Sequence, residues 1–223
     1  MPLTSTRSVS PVIAIDGPAA AGKGTLARRL AAHLRFAYLD TGLLYRAVGA
    51  RVLAAAADPG DEKAAAHAAA ALVAADLADP ALRLDAAALA ASRVAAMPVV
   101  RSALLHFQRS FAAAPPDGAA GAVLDGRDIG TVVCPDATLK LFVTASLAER
   151  AARRLKELRE RGSEAIDSRV LRDMQERDAR DSSRSVAPLE PAADAVVIDT
   201  SGLDPDAVFA AAMTAWQARV SEG

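Results

Sequence analysis

A glycine-rich segment at residues 17–25 has the composition and spacing of a phosphate-binding loop. It reads G-P-A-A-A-G-K-G-T, which matches the pattern G-x-x-x-x-G-K. Glycines allow backbone N–H groups to turn inward around phosphate oxygens, and the lysine can reach the β- and γ-phosphates as a point charge. The pattern predicts a nucleotide site formed by Gly17, Pro18, Ala19, Ala20, Ala21, Gly22, Lys23, Gly24 and Thr25.

The hydroxyl group of this segment stands one position later than in the common G-K-[ST] form. Gly24 follows Lys23, and Thr25 comes only after it. A serine or threonine directly after the lysine is the usual side-chain ligand of Mg²⁺ in such loops. The sequence therefore gives no firm direct metal ligand, and Thr25 is the remaining candidate.

The loop alone indicates nucleotide binding without deciding between a kinase, a GTPase and a regulatory ATP-binding module. The sequence contains no asparagine. It therefore lacks both the N-K-x-D motif by which GTPases read their base and the catalytic-loop asparagine of protein kinases. A GTPase is excluded on this ground, whereas a small-molecule kinase and a regulatory module remain.

Two charged segments follow short extended pieces of the chain. Residues 38–46 read Y-L-D-T-G-L-L-Y-R, an extended piece that opens a helix with Asp40 or Thr41 as its cap. Residues 125–128 read D-G-R-D directly after an apolar run. Ligands of open α/β sheets bind outside the carboxyl ends of the strands, which makes residues 125–128 a candidate for acceptor binding. Residues 38–46 are a second candidate, because a helix cap alone gives Tyr45 and Arg46 no role. A helix cap and an ordinary D-G turn are the alternative interpretations.

A third segment, residues 176–184, reads E-R-D-A-R-D-S-S-R. If one helix extends through it, a single face carries the residues at i, i+3, i+4 and i+7, which are Arg177, Arg180, Asp181 and Arg184. Three arginines on one face could stabilise a phosphoryl group during transfer, because its charge spreads over the equatorial oxygens. A solvated, salt-bridged helix face would explain the same spacing.

The elements that must position these segments alternate between short apolar strands and helices. Strands rich in β-branched residues are predicted at 12–15, 122–124, 139–143 and 195–198. Residues 42–112 and 204–220 are predicted to be mostly helical, and a highly charged stretch covers 149–184. This alternation indicates an α/β fold with a parallel sheet.

The overall composition excludes several classes of protein. The chain has 223 residues and a formal net charge of −1, so it has no global basic field for coating nucleic acid. One cysteine, Cys134, rules out an intramolecular disulfide. The first 12 residues lack the apolar core of a signal peptide, and no stretch is long and apolar enough to span a membrane. We therefore expect a cytoplasmic protein.

Taken together, the segments resemble bacterial cytidylate kinases, members of the nucleoside-monophosphate kinase group of P-loop kinases. The resemblance runs through I-D-G-P-A-A-A-G-K-G-T, L-D-T-G-L-L-Y-R-A, D-G-R-D-I-G-T-V-V-C-P-D-A, E-R-D-A-R-D-S-S-R-S-V-A-P-L and P-A-A-D-A-V-V-I-D-T. It implies a three-layer α/β/α P-loop fold with a central parallel sheet, a helical acceptor-binding region and a helical lid. One kinase domain then covers residues 1–223, with its core at 10–57, 118–150 and 185–223, an acceptor-binding insertion at about 58–117 and a lid at about 151–184.

The function implied by this resemblance is ATP-dependent phosphorylation of CMP and dCMP by in-line phosphoryl transfer. Mg²⁺ would accompany ATP and be held largely by nucleotide phosphates and water. The expected partners are these nucleotides alone, with no nucleic acid and no membrane, and the expected state is a monomer. The alternatives are a P-loop kinase acting on UMP, AMP or a non-nucleotide acceptor, and a non-catalytic ATP-binding sensor.

The resemblance also assigns roles to residues that match the motifs. The catalytic group would be Lys23, Arg127, Arg177 and Arg184. The CMP-binding group would be Thr41, Tyr45, Arg46, Ser92, Arg101, Arg127, Asp128, Arg177, Asp181 and Arg184. Asp128 would accept a hydrogen bond from the exocyclic amine of cytosine, where uracil presents a carbonyl instead. Arg153 and Arg154 would belong to the lid.

One region departs from the pattern of the family. Many cytidylate kinases carry a longer insertion with a small antiparallel sheet between the acceptor-side helices. Residues 58–92 are short, rich in alanine and without strand patterns. The roles given to Ser92 and Arg101 depend on matching the segment 92–101 across this shortened region.

Overall fold

The computed structural model describes residues 10–221, with the side chains of Ala74 and Asp85 left out. Most of the N-terminal segment that argues against a signal peptide lies outside the described residues, as do both ends of the expected 1–223 domain. Within the described part the strands are β1 (Val12–Asp16), β2 (Ala37–Asp40), β3 (Ala122–Asp125), β4 (Leu139–Thr144) and β5 (Val196–Asp199). The helices are α1 (Lys23–Leu34), α2 (Thr41–Ala54), α3 (Glu62–Ala70), α4 (Asp85–Val94), α5 (Pro98–Ala113), α6 (Leu147–Glu160), α7 (Asp167–Ser182) and α8 (Pro205–Ser221).

The strands form one parallel sheet in the order β2-β3-β1-β4-β5. The central strand β1 is buried on both faces, because its side chains alternate between two hydrophobic clusters. Ile13 and Ile15 pack against α1 and α8, whereas Ala14 packs on the opposite face with α5. The expected three-layer α/β/α arrangement with a central parallel sheet is confirmed.

The register of the strands brings their acidic last residues to one edge of the sheet. Asp40 of β2 lies beside Asp125 of β3, and Asp125 in turn pairs with Ile15 of β1. The next residue of β1 is Asp16, which precedes the glycine-rich loop. This carboxyl edge is where open parallel sheets bind ligands.

Residues 58–117 are helical throughout their regular segments, and no strand occurs among them in the described structure. Helices α2, α3, α4 and α5 share a separate hydrophobic cluster that includes Leu44, Val48, Val94 and Leu104. Gly49 permits close packing here, since a Cβ at this position would lie 2.8 Å from the Cβ of Ala90. The alanine-rich composition therefore allows helices to approach closely.

Helices α6 and α7 form a hairpin that covers the carboxyl edge of the sheet. A small cluster of Leu158, Val170 and Met174 holds the two helices together. Helix α7 ends at Ser182. The prediction that one helix face carries residues 177, 180, 181 and 184 is therefore wrong for Arg184, which lies beyond the end of the helix. Its guanidinium nevertheless returns to contact the Asp181 carboxylate.

No single helix in the described part of the chain has the length and apolarity to cross a membrane. One pair of helical segments, Ala86–Val94 and Pro98–Gly118, meets these criteria only when taken together, and the two are bent by 101°.

Candidate functional site

The glycine-rich loop joins β1 to α1 and leaves the first turn of that helix open. Helix α1 begins at Lys23, and its N-cap residue Gly22 has a φ of 94°, a conformation that favours glycine. No side chain caps this helix. The first N–H groups of α1 are therefore available to an anion, and the helix dipole adds a partial positive charge at the same place.

Gly17 is required by a close approach of backbone to backbone. Its φ is 141°, and a Cβ at this position would lie only 1.9 Å from the carbonyl oxygen of Val143 in β4. Any side chain would push the loop away from the sheet. Glycine at position 17 thus sets where the phosphate loop begins.

We expect Gly17→Ala to lower the free energy of unfolding by about 3 kcal/mol, because the clash adds to the unfavourable backbone conformation. Urea denaturation followed by circular dichroism measures this change. Gly118→Ala is the matched control, since Gly118 also has a positive φ of 68° but has nothing within 4 Å of its Cβ position. That control should lose only about 1 kcal/mol. Equal losses in the two variants would contradict the steric role of Gly17.

Lys23 is buried at the base of the loop. Its side chain is 6% exposed, and its Nζ donates a hydrogen bond of 2.8 Å to the carbonyl oxygen of Pro18. Burial lowers the pKa of Lys23, and the positive charge of Arg127 lowers it further, although Asp125 acts in the opposite direction. An ammonium group in this position would be stabilised by a bound anion.

The Asp125 carboxylate lies beside the glycine-rich loop at the end of β3. It accepts a 2.7 Å hydrogen bond from the Tyr38 hydroxyl, while the Thr41 hydroxyl donates 2.8 Å to the Asp125 main-chain oxygen. Burial raises the pKa of Asp125, and the neighbouring Asp40 raises it further. Tyr38 and Asp125 belong to the two segments considered for acceptor binding, but the sequence assigned neither of them an individual role.

A buried ion pair between Arg101 and Asp128 occupies the side of the cavity under α4 and α5. Arg101 also donates to the carbonyl oxygen of Ala95 at 3.2 Å, and its guanidinium lies 5.6 Å from the ring centroid of Tyr45. Ser92 is nearby, and its hydroxyl accepts a 3.3 Å hydrogen bond from Arg180. The sequence residues 92 and 101 are therefore both turned into the cavity.

Asp181 is the centre of an arginine cluster at the end of α7. It is 1% exposed and contacts the guanidinium groups of Arg127, Arg177 and Arg184, with Nε–O distances of 3.1 Å for Arg127 and 4.0 Å for Arg177. Burial opposes ionisation of Asp181, but the adjacent arginines, Arg127 above all, keep its pKa below the ordinary value. One carboxylate thus faces three guanidinium groups, which leaves an excess of positive charge.

Two donors of this cluster have no hydrogen-bond partner among the described residues: Nε of Arg177 and Nε of Arg184. Burial lowers the pKa of Arg177 to about 9, and the proximity of Arg127 contributes. A buried donor without a partner is costly. The cluster therefore has both the charge and the free donors to bind an anion such as a phosphate group.

Arg46 approaches the cavity from α2. It donates a 2.8 Å hydrogen bond to the carbonyl oxygen of Leu82, and burial lowers its pKa. Two charged residues that the sequence did not single out, Glu157 and Arg161, lie nearby on the hairpin. Glu157 accepts a 2.8 Å hydrogen bond from Arg154 and another from Arg161. A second nitrogen of Arg161 donates a 3.0 Å hydrogen bond to the carbonyl oxygen of Arg83. Charged helix faces are common, so no local signal distinguished these two.

A single cavity of about 760 Å³ unites the loop with the acceptor candidates. Ala19, Ala20, Lys23 and Gly24 contribute the loop side. Every residue predicted for the acceptor lines the same cavity, namely Thr41, Tyr45, Arg46, Ser92, Arg101, Arg127, Asp128, Arg177, Asp181 and Arg184. The structure thus brings together acceptor candidates that lie up to 143 positions apart in sequence, from 41 to 184.

A smaller cavity of about 340 Å³ adjoins the large one at the glycine-rich loop, since both are lined by Lys23 and Gly24. Gly22, Thr25 and Arg153 line it together with Lys23. Arg153 also donates 2.8 Å and 2.7 Å hydrogen bonds to the hydroxyl and carbonyl oxygens of Thr200. Gly17, Pro18 and Ala21 line neither cavity and shape the turn instead.

Comparison with known proteins gives a consistent result. The sequence model of the family described as cytidylate kinase matches residues 13–218. A cytidylate kinase from Paramagnetospirillum magneticum is 65% identical over 205 residues, covering 92% of this chain and 97% of the relative. A cytidylate kinase from Rhodospirillum rubrum is 63% identical over 202 residues, covering 91% and 95%. Among solved structures, an uncharacterized protein from Eubacterium ventriosum aligns with a TM-score of 0.52 at 16% identity over 92% of this chain and 97% of that one, a likeness of fold alone.

Proposed function

The chain belongs to the cytidylate kinase family, and from that membership we propose how its own residues phosphorylate CMP and dCMP. The enzyme transfers the terminal phosphoryl group of ATP to CMP. The observation that carries the assignment of residues is the common cavity, in which the phosphate loop faces an arginine cluster with two unpaired donors. A donor phosphate on one side and an acceptor phosphate on the other fit this distribution of charge.

The glycine-rich loop binds the phosphates of ATP. The open N–H groups at the start of α1 contact phosphate oxygens, and Lys23 exchanges its bond to the Pro18 carbonyl for the β- and γ-phosphates. This exchange relieves the unfavourable burial of the ammonium group. Arg153 and Arg154, on the hairpin of α6 and α7, approach the nucleotide as the hairpin closes and excludes water.

The arginine cluster binds the phosphate of CMP. The phosphate is held by Arg127, Arg177 and Arg184. Asp181 contacts all three guanidinium groups and so fixes their positions, and it also accepts a hydrogen bond from a ribose hydroxyl. Thr41, Tyr45 and Arg46 complete the acceptor pocket from α2.

The reaction requires no covalent bond between the protein and its substrates, so the protein acts mainly by positioning them and by neutralising charge. An anionic oxygen of the CMP phosphate attacks the γ-phosphorus, the bond to the bridging β,γ-oxygen breaks, and ADP departs with that oxygen. No general base is required, since the attacking oxygen already carries negative charge. Lys23 and the arginines stabilise the charge on the transferring group, and Arg177 and Arg184 each supply an Nε donor that has no partner among the described residues.

Mg²⁺ would be held at this site mainly by the phosphates of the nucleotide and by water, and less by side chains of the protein. No group of three or more His, Cys, Asp or Glu side chains converges as a metal site within residues 10–221. The buried Asp125 carboxylate beside the loop and the Thr25 hydroxyl are suited to hold the hydrated ion at the phosphates. When bound, Mg²⁺ neutralises charge on the β- and γ-phosphates of ATP.

The cytosine base is read by the Arg101–Asp128 pair together with Ser92. The Asp128 carboxylate accepts from the exocyclic amine, and Arg101, held by the Ala95 carbonyl and by Asp128, donates to ring acceptors. Uracil would place a carbonyl against the carboxylate. The site therefore favours CMP and dCMP over UMP.

We expect fast ADP release with ATP, Mg²⁺ and either CMP or dCMP, and slow release with UMP or AMP. Asp128→Asn should lower the ratio of kcat/KM for CMP over UMP by about 100-fold, because the amide can donate to the uracil carbonyl. Asp136→Asn is the matched control, since Asp136 is exposed in the same loop outside the cavity. An unchanged ratio in Asp128→Asn would remove the base-reading role while leaving the kinase assignment intact.

The division into a core, an acceptor-binding insertion at 58–117 and a lid at 151–184 is part of this proposal. The hairpin of α6 and α7 reaches the acceptor side through the bond from Arg161 to the Arg83 carbonyl, which would break when the lid opens. The monomeric state and the cytoplasmic location remain predictions from the sequence.

A further inference from the structure

Asp16 is a buried carboxylate that the transfer mechanism above does not use. It ends β1 directly before the phosphate loop and is 5% exposed. Its Oδ1 accepts a 2.7 Å hydrogen bond from the N–H of Ile129, and its Oδ2 accepts another of 2.7 Å from the N–H of Gly130. Both oxygens are thus committed to one short segment that follows D-G-R-D.

That segment is a single π-helical turn, Ile129–Val133, and Asp128 occupies its N-cap position. The first N–H groups of a helical turn have no partner inside it, and an aspartate at the N-cap commonly accepts one of them through its own side chain. Asp128 makes no such bond. Its carboxylate instead points to Arg101 in the cavity.

We propose that Asp16 is a positioning residue for base recognition, because it caps the turn in place of Asp128 and so leaves the Asp128 carboxylate free to pair with Arg101. This inference rests on the proposed base-reading role of Asp128. It assigns to β1 a part in selecting the acceptor, in addition to its part in starting the phosphate loop.

The surroundings of Asp16 keep its carboxylate in place as a hydrogen-bond acceptor. The packing around Gly130 is close, since a Cβ there would lie 3.1 Å from the Lys140 Cδ and, at an ordinary contact distance, 3.4 Å from the Asp16 Oδ2. Burial raises the pKa of Asp16 to about 6, while the two N–H bonds oppose that rise. The carboxylate is therefore mainly ionised at pH 7.5, where both oxygens accept.

The test is Asp16→Asn, which keeps the shape but replaces one acceptor oxygen with an N–H₂ group. One backbone N–H then loses its partner, and Asp128 is the carboxylate at the N-cap that can take it. We expect kcat/KM for CMP over UMP to fall about tenfold, with a higher KM for CMP and an ATP KM within about twofold of the parent. A loss shared equally by CMP, UMP and ATP would indicate a purely structural role and overturn the proposal.

A double-mutant cycle with Asp128→Asn separates this inference from the proposed function. If Asp16 acts through Asp128, adding Asp16→Asn to Asp128→Asn should lower the CMP-to-UMP ratio no further. Additive losses would show that Asp16 acts independently and would contradict the proposal. No effect of Asp128→Asn alone would instead refute the base-reading role, whereas an effect of Asp128→Asn without one of Asp16→Asn would refute only the role of Asp16.

Asp204→Asn is the matched control. Asp204 also accepts two backbone N–H groups at a helix start, from Asp206 and Ala207, but lies outside the cavity. It should leave the selectivity unchanged. Asp16→Ser, which retains one smaller acceptor, provides a second variant if Asp16→Asn does not fold. Failure of both to fold, judged by circular dichroism, would make Asp16 a folding residue and the proposal wrong.

Discussion

Lys23→Met is expected to reduce kcat by about 1,000-fold with ATP and CMP, the largest effect of any single substitution considered for this chain. Lys23 is the buried cation of the phosphate loop, and burial already disfavours its charge in the absence of nucleotide. The proposed interaction of Lys23 with the β- and γ-phosphates would therefore be made where water is excluded and electrostatic stabilisation is strong. Methionine keeps the length and bulk of the side chain while removing the charge. Steady-state ADP release at saturating ATP and CMP measures the change.

Lys63→Met is the control for this substitution, because Lys63 is exposed on α3 and lines neither cavity. It should retain the parental kcat. The unfolding midpoint of Lys23→Met without nucleotide should not fall, since the substitution removes a buried charge whose pKa is lowered by burial. Near-parental turnover in Lys23→Met would contradict the assignment of the loop as the donor-phosphate site.

Arg177→Met is expected to reduce kcat by about 300-fold, with a smaller rise in the KM for CMP. Its Nε has no hydrogen-bond partner among the described residues, and its guanidinium lies at the cavity 4.0 Å from the Asp181 carboxylate. A free, buried donor of this kind is used most fully when charge develops on the transferring phosphoryl group. The kinetic comparison of kcat with KM distinguishes this use from simple binding of CMP.

Stability gives an independent measurement on Arg177→Met. The pKa of Arg177 is lowered to about 9 in the folded protein, first by burial and then by Arg127, so its charge below pH 9 opposes folding. We therefore expect the unfolding midpoint of the variant at pH 7.5, without nucleotide, to equal or exceed that of the parent. Arg172→Met on the exposed face of the same helix should change neither kcat nor the midpoint. Loss of stability together with activity would indicate a structural arginine instead.

The sequence was sufficient to predict the local elements whose signals are contained within a few residues. The apolar run that became β1, the glycines at 17 and 22 and the helix that follows them have short-range causes, namely burial, left-handed backbone and helix periodicity. The parallel sheet also follows from alternating strands and helices. The extent of α7 did not, because the helix ends at Ser182 with no glycine or proline to announce it.

Amino-acid types and spacing by themselves thus determined the phosphate loop, the fold class and, through the combination of motifs, the family. Only the tertiary structure decided how the charges are shared. Asp181 contacts three arginines, which come from the loop after β3, from α7 and from the segment after α7. Asp16 accepts hydrogen bonds from the N–H groups that Asp128 would otherwise cap. The reason is physical: a carboxylate binds whichever donors packing brings within about 3 Å, and these can be distant in sequence, as Gly130 is from Asp16 by 114 residues.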